Sequence, residues 1–248
     1  MKQGGSMAEL EYQSGTIQVE DVNIHYYRAG SADQAVVLLH GVTDDGMCWK
    51  PVADQLAENY TVIMPDVRGH GKSDGPESGY TYHDLAGDIL SLLQRIGIQR
   101  PFVIGHSMGA MIALTLAGMQ PDLPRAVILE DPPPQWKLPH LSAADIHARS
   151  SLPYWMVSIK RKTAADLMAE VMSSNPNWAE AERQPWVDSK QRFSLNVLHL
   201  FTDEQQSPTD FNSILPGIRC PMLCLTANPK LGGISTRADV EDLSRLVP

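Results

Sequence analysis

Four short apolar runs, AVVLLH (35–40), TVIMPD (61–66), PFVIGH (101–106) and AVILED (126–131), recur with helix-patterned segments between them. Unbroken runs of this length, rich in β-branched residues and Leu, suit strands buried on both faces, as in a parallel sheet. The segments at roughly 47–58, 81–96 and 108–119 read as helices. The middle one opens on Thr81, which can cap, carries apolar residues at helical spacing and closes at Gly97. Strand–helix alternation predicts a doubly wound, mostly parallel α/β sheet. Two hairpin-like strands, GTIQVE and VNIHYYRAG, precede it.

After EDPPP (130–134) the rhythm changes. Residues 135–212 read as helices and hold four of the five tryptophans, Trp136, Trp155, Trp178 and Trp186. An inserted helical cap over an apolar site is the expectation. PMLCLTAN (221–228) returns to the strand pattern, and TRADVEDLSRLV reads as a helix. The chain therefore divides into a first part of the core (1–134), a cap (135–212) and a second part of the core (213–248).

Composition narrows the function classes. Hydrophobic residues are 43% and charged residues 20%, an ordinary globular balance. A net charge of −9 disfavours nucleic acid as a partner and leaves a small molecule as the expected one. Three cysteines without metal-ligand spacing fit a reducing compartment. With no signal-like start and no run long enough to span a bilayer, a cytoplasmic protein without membrane contact is expected.

The stretch FVIGHSMGAM (102–111) sets Ser107 between Gly105 and Gly109, at the junction of a strand run and a helical one. Strand, G-x-S-x-G, helix is the order of a nucleophile elbow. A serine in so sharp a turn has its hydroxyl lifted above the sheet, and the flanking glycines let the turn pack against neighbouring backbone. The following helix aims free N–H groups and the positive end of its dipole at the same point. The Met108 N–H is one candidate oxyanion donor. LLHGVTDD (38–45), a strand ending in His-Gly, offers the Val42 N–H as a second. Removing one such donor costs about 3–4 kcal/mol of transition-state stabilisation.

Together LLHGVTDDGMCW, PDVRGHGKSD (65–74) and IGHSMGAMIAL resemble the α/β-hydrolase superfamily over nearly the whole chain, on its serine esterase or lactonase-like side. The resemblance implies an eight-stranded sheet, a helical cap after the sixth strand, no cofactor and no metal. It makes Ser107 the nucleophile, Val42 and Met108 the oxyanion donors, and Asp66 and Arg68 structural ties between loops. A triad in the order Ser, Asp or Glu, His is implied as well. Serine at 107 disfavours the epoxide hydrolases and haloalkane dehalogenases of the superfamily, which carry Asp there.

The chain departs from this pattern at two places. After the seventh strand, where relatives carry the acid, stands Asn228. Some branches place a carboxylate after the sixth strand instead, and there this chain has Glu130 and Asp131. Adjacent strand residues face opposite ways, so one of the two serves; Glu130 is favoured and Asp131 is the second choice. The base histidine is implied after an eighth strand, yet no histidine follows His199. The expectation is an incomplete chain lacking the eighth strand and final helix, inactive as it stands. The function expected of the complete site is hydrolysis of a small ester or lactone through an acyl-enzyme. Carbon–carbon bond hydrolysis uses nearly the same residues in relatives, and a non-catalytic binding module of the same fold is the rival.

Overall fold

The computed structural model describes residues 10–137, 143–202 and 209–248, and the apolar runs form the strands that the alternation predicts. β1 (Gln13–Val19) and β2 (Val22–Ala29) make an antiparallel hairpin. β3 (Ala35–Leu39), β4 (Thr61–Pro65), β5 (Phe102–His106), β6 (Ala126–Glu130) and β7 (Met222–Leu225) follow. They form one sheet in the order β1-β2-β4-β3-β5-β6-β7. β2 meets β4 antiparallel, and every pairing from β4 to β7 is parallel. Every residue of β3 and β4 is buried, which explains their lack of polar alternation. Seven strands are described where the resemblance implies eight.

Alternate strand residues feed two cores. Val37, Leu39, Ile63, Val103 and Val127 pack with α2 (Tyr82–Arg95) and α3 (Met108–Met119). Val36, Leu38, Val62 and Met64 pack on the other face with Ala53 of α1 (Lys50–Leu56). Thr81 and Asp84 close a reciprocal capping box at the start of α2, as the sequence suggests. α3 is buried all round from Met108 to Ala117 and hence shows no amphipathic stripe. On the α1 side, Leu223 and Leu225 are 53% and 46% exposed, beside an apolar groove of about 390 Å³ over β5–β7.

Between β6 and β7 the described residues are mainly helical, with α4 (Ala143–Ile159), α5 (Ala164–Ser174) and α6 (Glu180–Arg192). A last helix, Arg237–Leu246, follows β7. Asp66 and Arg68 tie loops together as expected. Asp66 accepts from the Gly46 and Lys72 amides (2.8 and 2.9 Å) and pairs with the His25 ring at 2.9 Å. Arg68 pairs with Asp88 and donates to the Gly79 carbonyl at 2.8 Å. These ties fix the loop after β4 next to the end of β3, where the chemistry gathers.

Candidate active site

Ser107 follows β5 directly and adopts φ 50°, ψ −112°, a left-handed backbone that a non-glycine residue reaches only when its surroundings hold it there. Its amide donates to the Glu130 carbonyl (2.9 Å), and its carbonyl accepts the Ala110 amide (3.1 Å). The glycines on either side are obligatory. A Cβ on Gly105 would run into the Gly109 carbonyl, and one on Gly109 into the Leu39 carbonyl. Ser107 stands at the N-cap position of α3, yet its hydroxyl caps nothing and is left for other work.

The loop after β3 comes close on the other side. His40 is buried; its Nδ1 donates to the Gly41 carbonyl (2.8 Å) and its Nε2 accepts the Val67 amide (3.0 Å). Burial lowers its pKa, so the ring is neutral and serves as a bracket for the loop. A Cβ on Gly41 would stand 2.8 Å from His106 Nδ1, so only glycine lets the loop pass there. Thr43 completes the bend at φ 69°. Neither the Val42 nor the Met108 amide is taken by another described backbone group, which leaves both free to donate.

The two candidate acids separate as strand geometry demands. Glu130 pairs in register with His106 and lines a cavity beside it. Asp131 comes one residue later, at the strand end that lies alongside Ser107. Its backbone is at φ 47°, and its buried carboxylate accepts the Ile234 amide at 2.8 Å and the Ser235 amide at 2.9 Å. Asn228 uses its side chain to cap a short turn, accepting the Lys230 amide at 3.0 Å. Thr43, Ser107 and Asp131, at the ends of β3, β5 and β6, are three of five non-glycine residues with positive φ among those described. Backbone strain thus gathers at one end of the sheet.

No described histidine hydrogen-bonds the Ser107 hydroxyl. His25 and His40 are committed as above, His70 Nδ1 bonds the Arg68 carbonyl (3.0 Å), and His199 stacks on Tyr80. His140 lies outside the described residues.

Sequence reasoning missed Lys190. This residue of α6 is 1% exposed; its ammonium pairs with Asp44 and donates to the Thr43 carbonyl at 3.3 Å. Burial pushes the Asp44 carboxyl up, but the Lys190 ammonium outweighs it and holds the group below the usual carboxylate range. The i, i+3 spacing from the buried Val187 is the one signal that could have turned Lys190 inward.

Asp45, next in the loop, is wholly buried; it accepts the Met47 amide (3.0 Å) and stands 3.3 Å from the Arg192 guanidinium. Burial, reinforced by the Asp66 charge, pushes its pKa up to about 6. The charged form is therefore less welcome in the folded chain than in the unfolded one. Stability from this group is highest below about pH 4 and falls as pH rises to about 6. Asp45→Asn keeps the capping oxygen and removes the charge. Urea unfolding should find the variant more stable by up to about 3 kcal/mol at pH 7.5 and level with the wild type at pH 4. An equal gap at both pH values would deny Asp45 this role.

A strained serine between two glycines, a His-Gly loop after β3 and a strand-end carboxylate on this sheet fit an α/β-hydrolase scaffold, and the sequence profile of the alpha/beta hydrolase fold matches residues 34–216. The chain belongs to that family. It is 28% identical over 240 residues to N-formylmaleamate deformylase of Pseudomonas putida, covering 94% of this chain and 84% of that protein. To 2-(acetamidomethylene)succinate hydrolase of Mesorhizobium japonicum it is 31% identical over 154 residues, 61% of this chain and 55% of that protein. Among solved structures, that of E-2-(acetamidomethylene)succinate hydrolase superposes with a TM-score of 0.74 at 22% identity, covering 96% of this chain and 89% of that one. The epoxide hydrolase CorEH superposes with a TM-score of 0.72 at 24% identity, covering 86% and 81%. Among the described residues no helix is long and apolar enough to cross a membrane.

Proposed function

We propose that the protein is a serine hydrolase that cleaves a small ester or lactone through an acyl-enzyme. The observation that carries this reading is the Ser107 backbone, φ 50°, ψ −112°, with an uncommitted hydroxyl at the head of α3. Ser107 Oγ attacks the carbonyl carbon, and the Val42 and Met108 amides receive the oxygen as it becomes negative. The tetrahedral intermediate collapses, the alcohol leaves with a proton, and water then releases the acid.

A histidine outside the described side chains is the base in this scheme, and turnover waits on it, since a serine hydroxyl alone is a weak nucleophile at neutral pH. Asp131 is the better candidate than Glu130 to orient that histidine. It is buried, strained and fixed by two amides beside Ser107, whereas Glu130 turns to the neighbouring cavity. The relatives named for N-formylmaleamate and 2-(acetamidomethylene)succinate extend the reading to a formyl or acetamido carbonyl, which the same site geometry could attack.

The rival is a binding module that keeps the fold without turnover, favoured by the absence of a described histidine on Ser107. A fluorophosphonate probe separates the two. The expected result is a phosphonyl adduct on the Ser107 peptide by mass spectrometry, lost in Ser107→Ala. If no adduct forms even in a version of the chain that carries the base histidine, under conditions that label an ordinary serine esterase, the binding module stands.

A further inference from the structure

Beside the elbow lies a cavity of about 270 Å³, with His106 and Glu130 on one side and, on the other, Trp178 from the turn before α6 and Glu182 and Trp186 of α6. Trp49, preceding α1, supplies a third indole and Asp44 a third carboxylate. The charges do not cancel. Lys190 is consumed by Asp44 and sits 4.8 Å over the Trp186 ring. One oxygen of Glu182 accepts the Ala179 amide at 2.8 Å. The Glu130 carboxylate, half-buried, has no hydrogen bond or ion pair among the described residues. His40 is neutral. Two carboxylates therefore face the space with no Lys or Arg partner among the described residues.

Such charge in a partly dry wall calls for a cation. Among the described residues no three His, Cys, Asp or Glu side chains converge as metal ligands, so the geometry asks for an organic one. Indole faces attract ammonium groups through the ring quadrupole, most strongly where water is displaced, and aromatic cages hold quaternary ammonium in this way. The net charge of −9 draws cations to the protein from a distance.

We propose that this cavity binds a quaternary or tertiary ammonium group, so that the substrate of the Ser107 site is a cationic, amine-bearing ester. This rests on the serine hydrolase reading for the ester and on the cavity alone for the cation. The consequence is selectivity against anions: a carboxylate of the kind in the names of the two relatives would meet Glu130 and Glu182.

The test is titration of the whole chain with benzyltrimethylammonium, read by tryptophan fluorescence and by calorimetry, against the neutral isostere 3,3-dimethylbutan-1-ol and against succinate. The cation should bind at least tenfold more tightly than the alcohol, and succinate should not bind. Glu130→Gln/Glu182→Gln, near-isosteric and checked by circular dichroism, should lose the cation at least tenfold. Trp178→Ala should do the same, as a second variant independent of charge. Equal binding of cation and alcohol, or unchanged affinity in the double variant, overturns the proposal. Ser107→Ala should bind the cation like the wild type. Cation binding without fluorophosphonate labelling, in a version of the chain that carries the base histidine, would sink the hydrolase and leave the cage. Labelling without cation binding would do the reverse.

Discussion

In a version of the chain that carries the base histidine, Asp131→Asn is expected to lower kcat on a neutral acetate ester by about 10⁴ with KM within a few-fold, while Glu130→Gln changes kcat less than tenfold. The difference arises from one step along β6. Glu130 shares the register of His106 and faces the cavity; Asp131 falls at the height of Ser107, where an imidazolium would form. A carboxylate there fixes the tautomer of the histidine and stabilises its charge, and an amide does neither. Asn also turns an NH₂ group toward the amides of Ile234 and Ser235, which now donate to Asp131 at 2.8 and 2.9 Å. Some stability is therefore lost, since hydrogen bonds to a charged group contribute about 1.5–3 kcal/mol. A melting curve keeps that loss apart from the loss in kcat, because a folded Asp131→Asn that turns over normally would pass the role to Glu130 or deny it to both.

How much of this was legible in the sequence depends on how local each cause is. The strands could be read because β3 and β4 are buried on both faces, so burial is written as an unbroken apolar run. The elbow could be read because its geometry admits only small residues: both glycines lie against backbone carbonyls, so no other residue fits. The choice between Glu130 and Asp131 could not. Both are acids at a strand end, and a left-handed φ at an aspartate leaves no mark in its residue type. The four tryptophans of the inserted region also divide in a way composition cannot foresee. Trp178 and Trp186 line the cavity, while Trp136 is core at 4% exposure and Trp155 is 37% exposed. The third cavity indole, Trp49, comes from the far side of the chain. Lys190 was the hardest to find, because the partner that explains it lies 146 residues away.

That distant pair carries the other large effect. Lys190→Met should lower the melting temperature by about 10 °C, because it leaves the Asp44 carboxylate, 18% exposed, without its counter-ion. Breaking a buried pair on one side costs about 3–5 kcal/mol, and each kcal/mol moves Tm by about 2–4 °C in a chain of this length. Removing both charges should recover at least half of that loss in Asp44→Asn/Lys190→Met, since the main penalty is the unpaired charge and the pair itself contributes little net. The pair also ties α6 to the loop that presents the Val42 amide, with Lys190 reaching the Thr43 carbonyl at 3.3 Å as well. Loosening it frees the loop at the point where the proposed oxyanion donor must stay in place, so labelling of Ser107 by the fluorophosphonate should slow in both variants, including the one whose stability is restored. A double variant that regains stability and labels at the wild-type rate would reduce Lys190 to a structural tie with no hold on the oxyanion loop.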